Sequence, residues 1–275
     1  MNNSNSHPAR WRNIIIFVIA VYVISWVGML LLDSSETGPG QLAFILAPIL
    51  VTVALRTFAK DGWKDMGLGL RLRQAWRWYL FSALFYIVLG VLAVIVGLST
   101  GMMSLDFELL PTLPGIMLVS LVFALIFSIF EEFAWRGYLE PRLENLGVPA
   151  LRAHLITGII WATWHYPLII LSDYTSESLV TFIPRFTLDV ILAALVYGYI
   201  RRRSKSVWPA VLMHTMGNTV LRTVLLTGFF NIPERFEAYI TPAAGGLLSI
   251  VFTAAVAFWL FRRESPTLVS EPSQA

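Results

Sequence analysis

Cysteine is absent from the 275 residues, which excludes a disulfide framework, a thiolate metal site and a cysteine nucleophile. Charge is scarce as well: Asp, Glu, Lys and Arg make up 13% of the chain, against about 25% in an average soluble domain. With 57% hydrophobic residues and a mean hydropathy of +0.70, the apolar surface exceeds what one core can enclose. Apolar runs of about 20 residues, long enough to cross a bilayer at 1.5 Å rise per residue, recur along the whole sequence. These features predict an all-α, polytopic integral membrane protein. The first run, NIIIFVIAVYVISWVGMLLL, is longer than the roughly 7 to 15 residues of a signal core and lacks a small-x-small cleavage site, so it reads as a retained helix. No internal repeat or second soluble domain is evident.

Eight spans are expected, at about 13–32, 41–57, 77–98, 114–139, 150–171, 180–200, 206–230 and 242–261. Alternate connections carry the basic residues: Arg10 and Arg12; Arg56, Lys60, Lys64, Arg71, Arg73 and Arg77; Arg136, Arg142 and Arg152; the run RRRSK from Arg201; and Arg262 with Arg263. The intervening loops DSSETGPG, STGMMSLDFELLP and SDYTSES carry acids and neither Lys nor Arg, and NIPERFEAY carries only Arg235. The positive-inside rule then places both termini in the cytoplasm. The net charge of +3 is thus read as a topology signal in contact with anionic lipid, and nucleic acid is not an expected partner. The tail from Glu264 is expected to be disordered. The organisation is one integral membrane domain: helices 1–3 over residues 1–113, a core over 114–230, and a last helix with its tail over 231–275.

Ionisable groups at membrane depth cost about 2.5 to 3.5 kcal/mol each on insertion scales, so each needs a reason. In the fourth span Glu131 lies about 12 Å from the cytoplasmic edge. Glu132 and Arg136 are spaced i, i+4 with the acid first, the favourable order for an intrahelical ion pair, which leaves Glu131 without that partner. A carboxylate so placed is a usable general base. The competing reading breaks the helix near Phe130 and leaves both glutamates hydrated at the interface. In the fifth span His165 follows Trp161 and Trp164, precedes the helix-loosening Pro167 and lies about 22 Å deep; His154 reads as interfacial. In the seventh, His214 and Asn218 share one helical face about 12 and 18 Å deep, with Gly217 permitting close approach. Arg185 and Asp189, also i, i+4, are expected to neutralise each other, and Arg222 to snorkel or pair with Asp189. One carboxylate, two imidazoles and an amide at comparable depth on three spans can converge on one pocket.

At these residues the sequence resembles the CPBP (Abi) family of intramembrane proteases, which includes CAAX prenyl endopeptidases and bacteriocin self-immunity proteins. The family pattern E-E-x-x-x-R, F-x-x-x-H, H-x-x-x-N reads here as EEFAWR, WATWH and HTMGN. Trp161 stands where the family has phenylalanine, a change that leaves the ionisable set intact and bears on pocket shape. The resemblance implies that Glu131 and His165 hold and activate a water, that His214 and Asn218 steady the oxyanion, and that Glu132 and Arg136 brace the site. It implies an endopeptidase acting on a membrane-associated or lipidated peptide or protein in or at the lipid bilayer, with a prenylated CAAX substrate, peptide export, self-immunity and processing of a membrane regulator all left open. Glu131, His165 and His214 also match the ligand set of a catalytic zinc site. Yet H-E-x-x-H is missing, and Glu132 would then have to be the base while facing Arg136. Glutamate-activated water is favoured, and a divalent metal stays open. The rival functions are a non-hydrolytic immunity or scaffold protein of the same fold, and a transporter; the latter predicts inverted repeats with paired broken helices, which the sequence does not show.

Overall fold

A computed structural model describes residues 10–35, 38–172 and 174–262, excepting the side chains of 222 and 224–226. The helices are α1 Trp11–Leu31, α2 Pro39–Thr57, α3 Leu72–Thr100, α4 Leu113–Ala134, α5 Glu140–Asn145, α6 Ala150–Trp164, α7 Tyr166–Leu171, α8 Leu179–Ser204, α9 Trp208–Leu226, α10 Glu234–Ile240 and α11 Leu247–Arg262. Six helical stretches are long and apolar enough to cross a membrane: Trp11–Leu31, Pro39–Thr57, Leu72–Thr100, Phe107–Asn145, Ala150–Leu171 and Leu179–Ser204. Helices α9 and α11 stand where the seventh and eighth spans are expected; α11 is a shorter apolar helix of 16 residues. Exposed Ile, Leu, Val and Phe side chains crowd the outer faces of α1, α3 and α4, as lipid in place of water requires. The chain is a multi-pass, all-α membrane protein.

Differences from expectation are local. The seventh helix ends at Leu226, and Phe230–Asn231 (β2) instead pairs antiparallel with Ser104–Leu105 (β1). The eighth begins at Leu247, because Pro242–Gly246 forms a loop folded back over the bundle. The tail from Glu264 lies outside the described residues.

The fourth span does not break at Phe130. Helix α4 carries Glu131 and Glu132 inside regular helix, passes through a π-helical turn, Trp135–Leu139, and continues as α5. Such widened turns leave backbone carbonyls without their usual partners. Here Arg201 Nε donates to the Arg136 carbonyl at 3.2 Å and Arg56 Nη2 donates to that of Gly137. The same arginines stitch the α2–α3 connection beneath the bundle: Arg56 pairs with Asp65 at 2.8 Å and Arg201 donates to the Asp65 carbonyl at 2.8 Å. Tyr138 donates to Asp61 Oδ2 at 2.7 Å and Asn13 to Oδ1 at 2.8 Å, while Arg142 donates to the Asp61 carbonyl. Arg56 and Arg142 are buried, so these basic residues are structural members as well as topology signals, and they are not set out toward lipid headgroups.

Helix α4 buries Ser120, Ala124, Ser128 and Glu132, one residue every i+4, and α9 is its most extensive partner. A seam of small side chains lets two helices approach closely where there is no hydrophobic drive to associate. On α9, Thr215, Thr219, Thr223 and Thr227 are buried and each hydroxyl donates to the carbonyl four residues back at 2.7 to 2.8 Å. Their polar atoms are thereby satisfied within their own helix. Helices α6 and α8 meet at Gly158, where an added Cβ would fall 2.9 Å from Ala194 Cβ.

Candidate active site

The α4–α9 seam ends at Glu132, and the close approach brings His214 onto it. His214 Nδ1 lies 2.9 Å from Glu132 Oε1, and Arg136 Nη1 donates to the same oxygen at 2.9 Å. The pairing of Glu132 with Arg136, expected from spacing, is present with both side chains fully buried. Glu132 has a second duty that spacing could not show, as the anchor of His214. Arg136 is held on both faces by aromatic rings, with its guanidinium carbon 4.3 Å from the Trp161 centroid and 4.7 Å from that of Tyr197, close enough for cation–π attraction.

Glu131 points to the neighbouring sector. Its Oε2 accepts the Trp161 indole N–H at 2.7 Å, with the Trp135 indole at 3.4 Å; its Oε1 lies 3.8 Å from His214 Nε2. That last separation is beyond a direct hydrogen bond and is the distance at which a bridging water is to be considered. Trp161 therefore does more than shape the pocket, as the change from phenylalanine had implied: it adds a donor to the carboxylate.

His165 sits at the break between α6 and α7. Pro167 offers no N–H to the preceding turn, and the His165 amide bonds to the Ala162 carbonyl, three residues back, at 3.1 Å. The His165 ring is fixed by Nδ1 at 2.8 Å from the Trp161 carbonyl. A carbonyl only accepts, so Nδ1 carries the proton and Nε2 is left with its lone pair. Trp164 and Phe186 pack edge-on against this ring at 4.7 and 5.4 Å.

Trp161, His165, His214 and Asn218 line one cleft of about 620 Å³ together with Tyr197 and Asp189. Glu131 is set behind the Trp161 edge of that cleft. Tyr86, packed over the bare Cα of Gly217, occupies the approach expected there for a substrate: a Cβ at 217 would fall 2.8 Å from its ring. Tyr174, Leu221, Ala243 and Ala244 are shared with a second cleft of about 880 Å³ that opens toward the start of α8, the end remote from Arg201. Desolvation raises the Tyr174 phenol above its ordinary value, although the residue as a whole is 36% exposed at the cleft wall. Glu237, at the rim of the second cleft, is raised by burial and by Glu177 and Glu234 against the lowering contact with Ser176.

One other expectation changes. Arg185 does not pair with Asp189; it forms an ion pair with Glu177 and donates to the carbonyls of Ala238 at 3.2 Å and Gly245 at 2.7 Å. Asp189 accepts the Gly245 backbone N–H at 3.1 Å. The loop ligands outcompete the i, i+4 partner because they satisfy planar donors and backbone groups together. The Arg222 side chain lies outside the described residues. His154 is buried, lying 3.0 Å from Glu140 in a space that only Gly198 leaves free.

Among the described residues, the set of His, Asp and Glu donor atoms lying within 4.8 Å of one another is Glu140, Glu144 and His154. Glu131, His165 and His214 do not close to that spacing. As placed, this trio does not fit a metal.

The fold defines the class, an all-helical membrane protein with a cleft between its helices lined by His165, His214 and Asn218. Residues 112–220 match the family model described as "Type II CAAX prenyl endopeptidase Rce1-like", a stretch that contains all three motifs. A curated relative named CAAX prenyl protease 2, from Methanococcus maripaludis, is 26% identical over 125 residues, 44% of this chain and 46% of the relative. The chain thus matches about half the length of that relative. With the three motifs, these matches support assignment to the CPBP family.

Proposed function

We propose that the chain is an intramembrane endopeptidase that hydrolyses a peptide bond near the C-terminus of a membrane-associated, CAAX-like prenylated substrate, with a glutamate-activated water and no catalytic metal. The observation that carries this reading is a cleft lined by His165, His214 and Asn218, with Glu131 behind its Trp161 edge and 3.8 Å from His214, and the Glu132–Arg136 pair buried beside it. Peptide hydrolysis needs a positioned water, a base and donors where negative charge develops. Glu131 Oε1 takes the water proton as the hydroxide adds to the carbonyl carbon, and gives it to the leaving amine nitrogen as the C–N bond breaks. His165 Nε2, with its lone pair free, holds the same water. With both ring nitrogens protonated, His214 gives Nδ1–H to Glu132 and Nε2–H to the forming oxyanion, which the Asn218 amide also meets. Removing one oxyanion donor costs about 10²- to 10³-fold in kcat in well-studied hydrolases.

The expected outcome is that Glu131→Ala and His214→Ala, folded to wild-type thermal midpoints, lose cleavage of a farnesylated CAAX reporter and that the wild-type reaction persists in chelator. A comparison of membrane-proteome termini between wild-type and Glu131→Ala cells then identifies native substrates without a guess. Full cleavage by either variant sinks the reading, and chelator-abolished activity restored by Zn²⁺ alone sinks its metal-free form.

A further inference from the structure

Trp161 lies against Glu131, Arg136, His165 and His214 at once. Its indole N–H donates to Glu131 Oε2 at 2.7 Å, and its ring face lies 4.3 Å from the Arg136 guanidinium carbon. Its centroid is 5.5 Å from that of His214 and 6.1 Å from that of His165, and its own backbone carbonyl receives His165 Nδ1 at 2.8 Å. The side chain is only 5% exposed and is clamped further by Tyr197, whose ring meets it edge-on at 5.6 Å.

We propose that Trp161 is a positioning residue for Glu131, whose indole N–H selects the carboxylate oxygen that works. This inference rests on the reading of Glu131 as the base. A glutamate side chain has three torsions and two equivalent oxygens. An indole has two torsions, and here packing on four sides fixes both, so its N–H is a rigid donor at a fixed point. Donation to Oε2 breaks the equivalence: Oε2 is committed, and Oε1, on the His214 side at 3.8 Å, is the oxygen presented to a water. The Trp135 indole, at 3.4 Å from the same oxygen, is too long to set the orientation alone. A phenylalanine at 161 would keep the ring against Arg136 and His214 and would lose the donor. The arrangement thus separates two roles of one side chain, a ring that packs and an N–H that aims.

The test uses full-length protein in nanodiscs with the farnesylated CAAX reporter, comparing wild type, Trp161→Phe and a protein with benzothienylalanine at 161, which exchanges N–H for sulfur at nearly constant shape. Hydrogen bonds to a charged group contribute enough that kcat is expected to fall about 10- to 100-fold in both, with KM within about twofold and the thermal midpoint unchanged. Wild-type kcat in both, while Glu131→Ala is inactive, overturns the inference and leaves the protease reading standing; cleavage by Glu131→Ala removes the reading beneath it. A loss confined to Trp161→Phe also overturns it, because shape and not the N–H would then matter. A readout independent of turnover is the Trp161 indole N–H resonance, assigned by its disappearance in Trp161→Phe. It shifts in Glu131→Ala if the bond is made, and an unmoved resonance overturns the proposal.

Discussion

Asp189 lies 3% exposed on α8, and its carboxylate accepts the Gly245 backbone N–H at 3.1 Å from the loop ahead of α11. Removing that acceptor leaves a buried donor unsatisfied, at a cost of about 1 to 3 kcal/mol. Asp189→Ala is therefore expected to lower the thermal midpoint in detergent, and Asp189→Asn, which keeps an acceptor oxygen, to lower it less; equal loss in the two would contradict the capping role. The same helix shows where residue-level inference reaches its limit. Spacing alone paired Glu132 correctly with Arg136, because both are sealed in an interface with aromatic faces around the cation. Applied to Arg185 and Asp189, the same spacing failed, because Glu177 and the Pro242–Gly246 loop return in three dimensions to offer better partners. The donor from Trp161 to Glu131 was likewise invisible as a contact, although the residue itself stood out as a departure from the family motif.

The seam between α4 and α9 is the element on which the site depends. Ser128 is fully buried there, one turn before Glu132. Ser128→Leu adds volume to a closed interface, a change that typically costs about 1 to 3 kcal/mol, and it is expected to separate the helices, stretch the 2.9 Å His214–Glu132 contact and abolish cleavage. Ser128→Ala should leave activity and midpoint near wild type, and an active Ser128→Leu protein would show that the seam does not set the site. Apolar length and polar punctuation made the helices themselves legible, including the interruption at Pro167. The two-residue strands, α10 and the π-helical turn were not legible: each is held by groups distant in sequence, the turn by Arg56 and Arg201 on its bared carbonyls.

At the scale of the whole molecule, the basic connections gather at one end and the second cleft opens at the other, so the orientation in the membrane decides from which side a substrate arrives. With both termini cytoplasmic, Lys64→Cys is expected to react with an impermeant maleimide only from the cytoplasmic side, and Glu108→Cys only from the opposite side; both positions are exposed. The reverse labelling pattern would invert the topology. The natural chain holds no cysteine, so each signal comes from a single known site. The π-helical turn ties the Glu132–His214 contact to the α2–α3 connection. Above it, α4 presents Glu132 to His214; below it, Tyr138 and Arg142 reach Asp61 in the α2–α3 connection. One residue more or fewer in that turn rotates everything beyond it by about 100°, so the number of residues between Glu132 and Tyr138 is itself a constraint. Substitution leaves that number unchanged, and a deletion at Gly137 would force the chain to give up either the Glu132–His214 contact or the contacts of Tyr138 and Arg142 with Asp61.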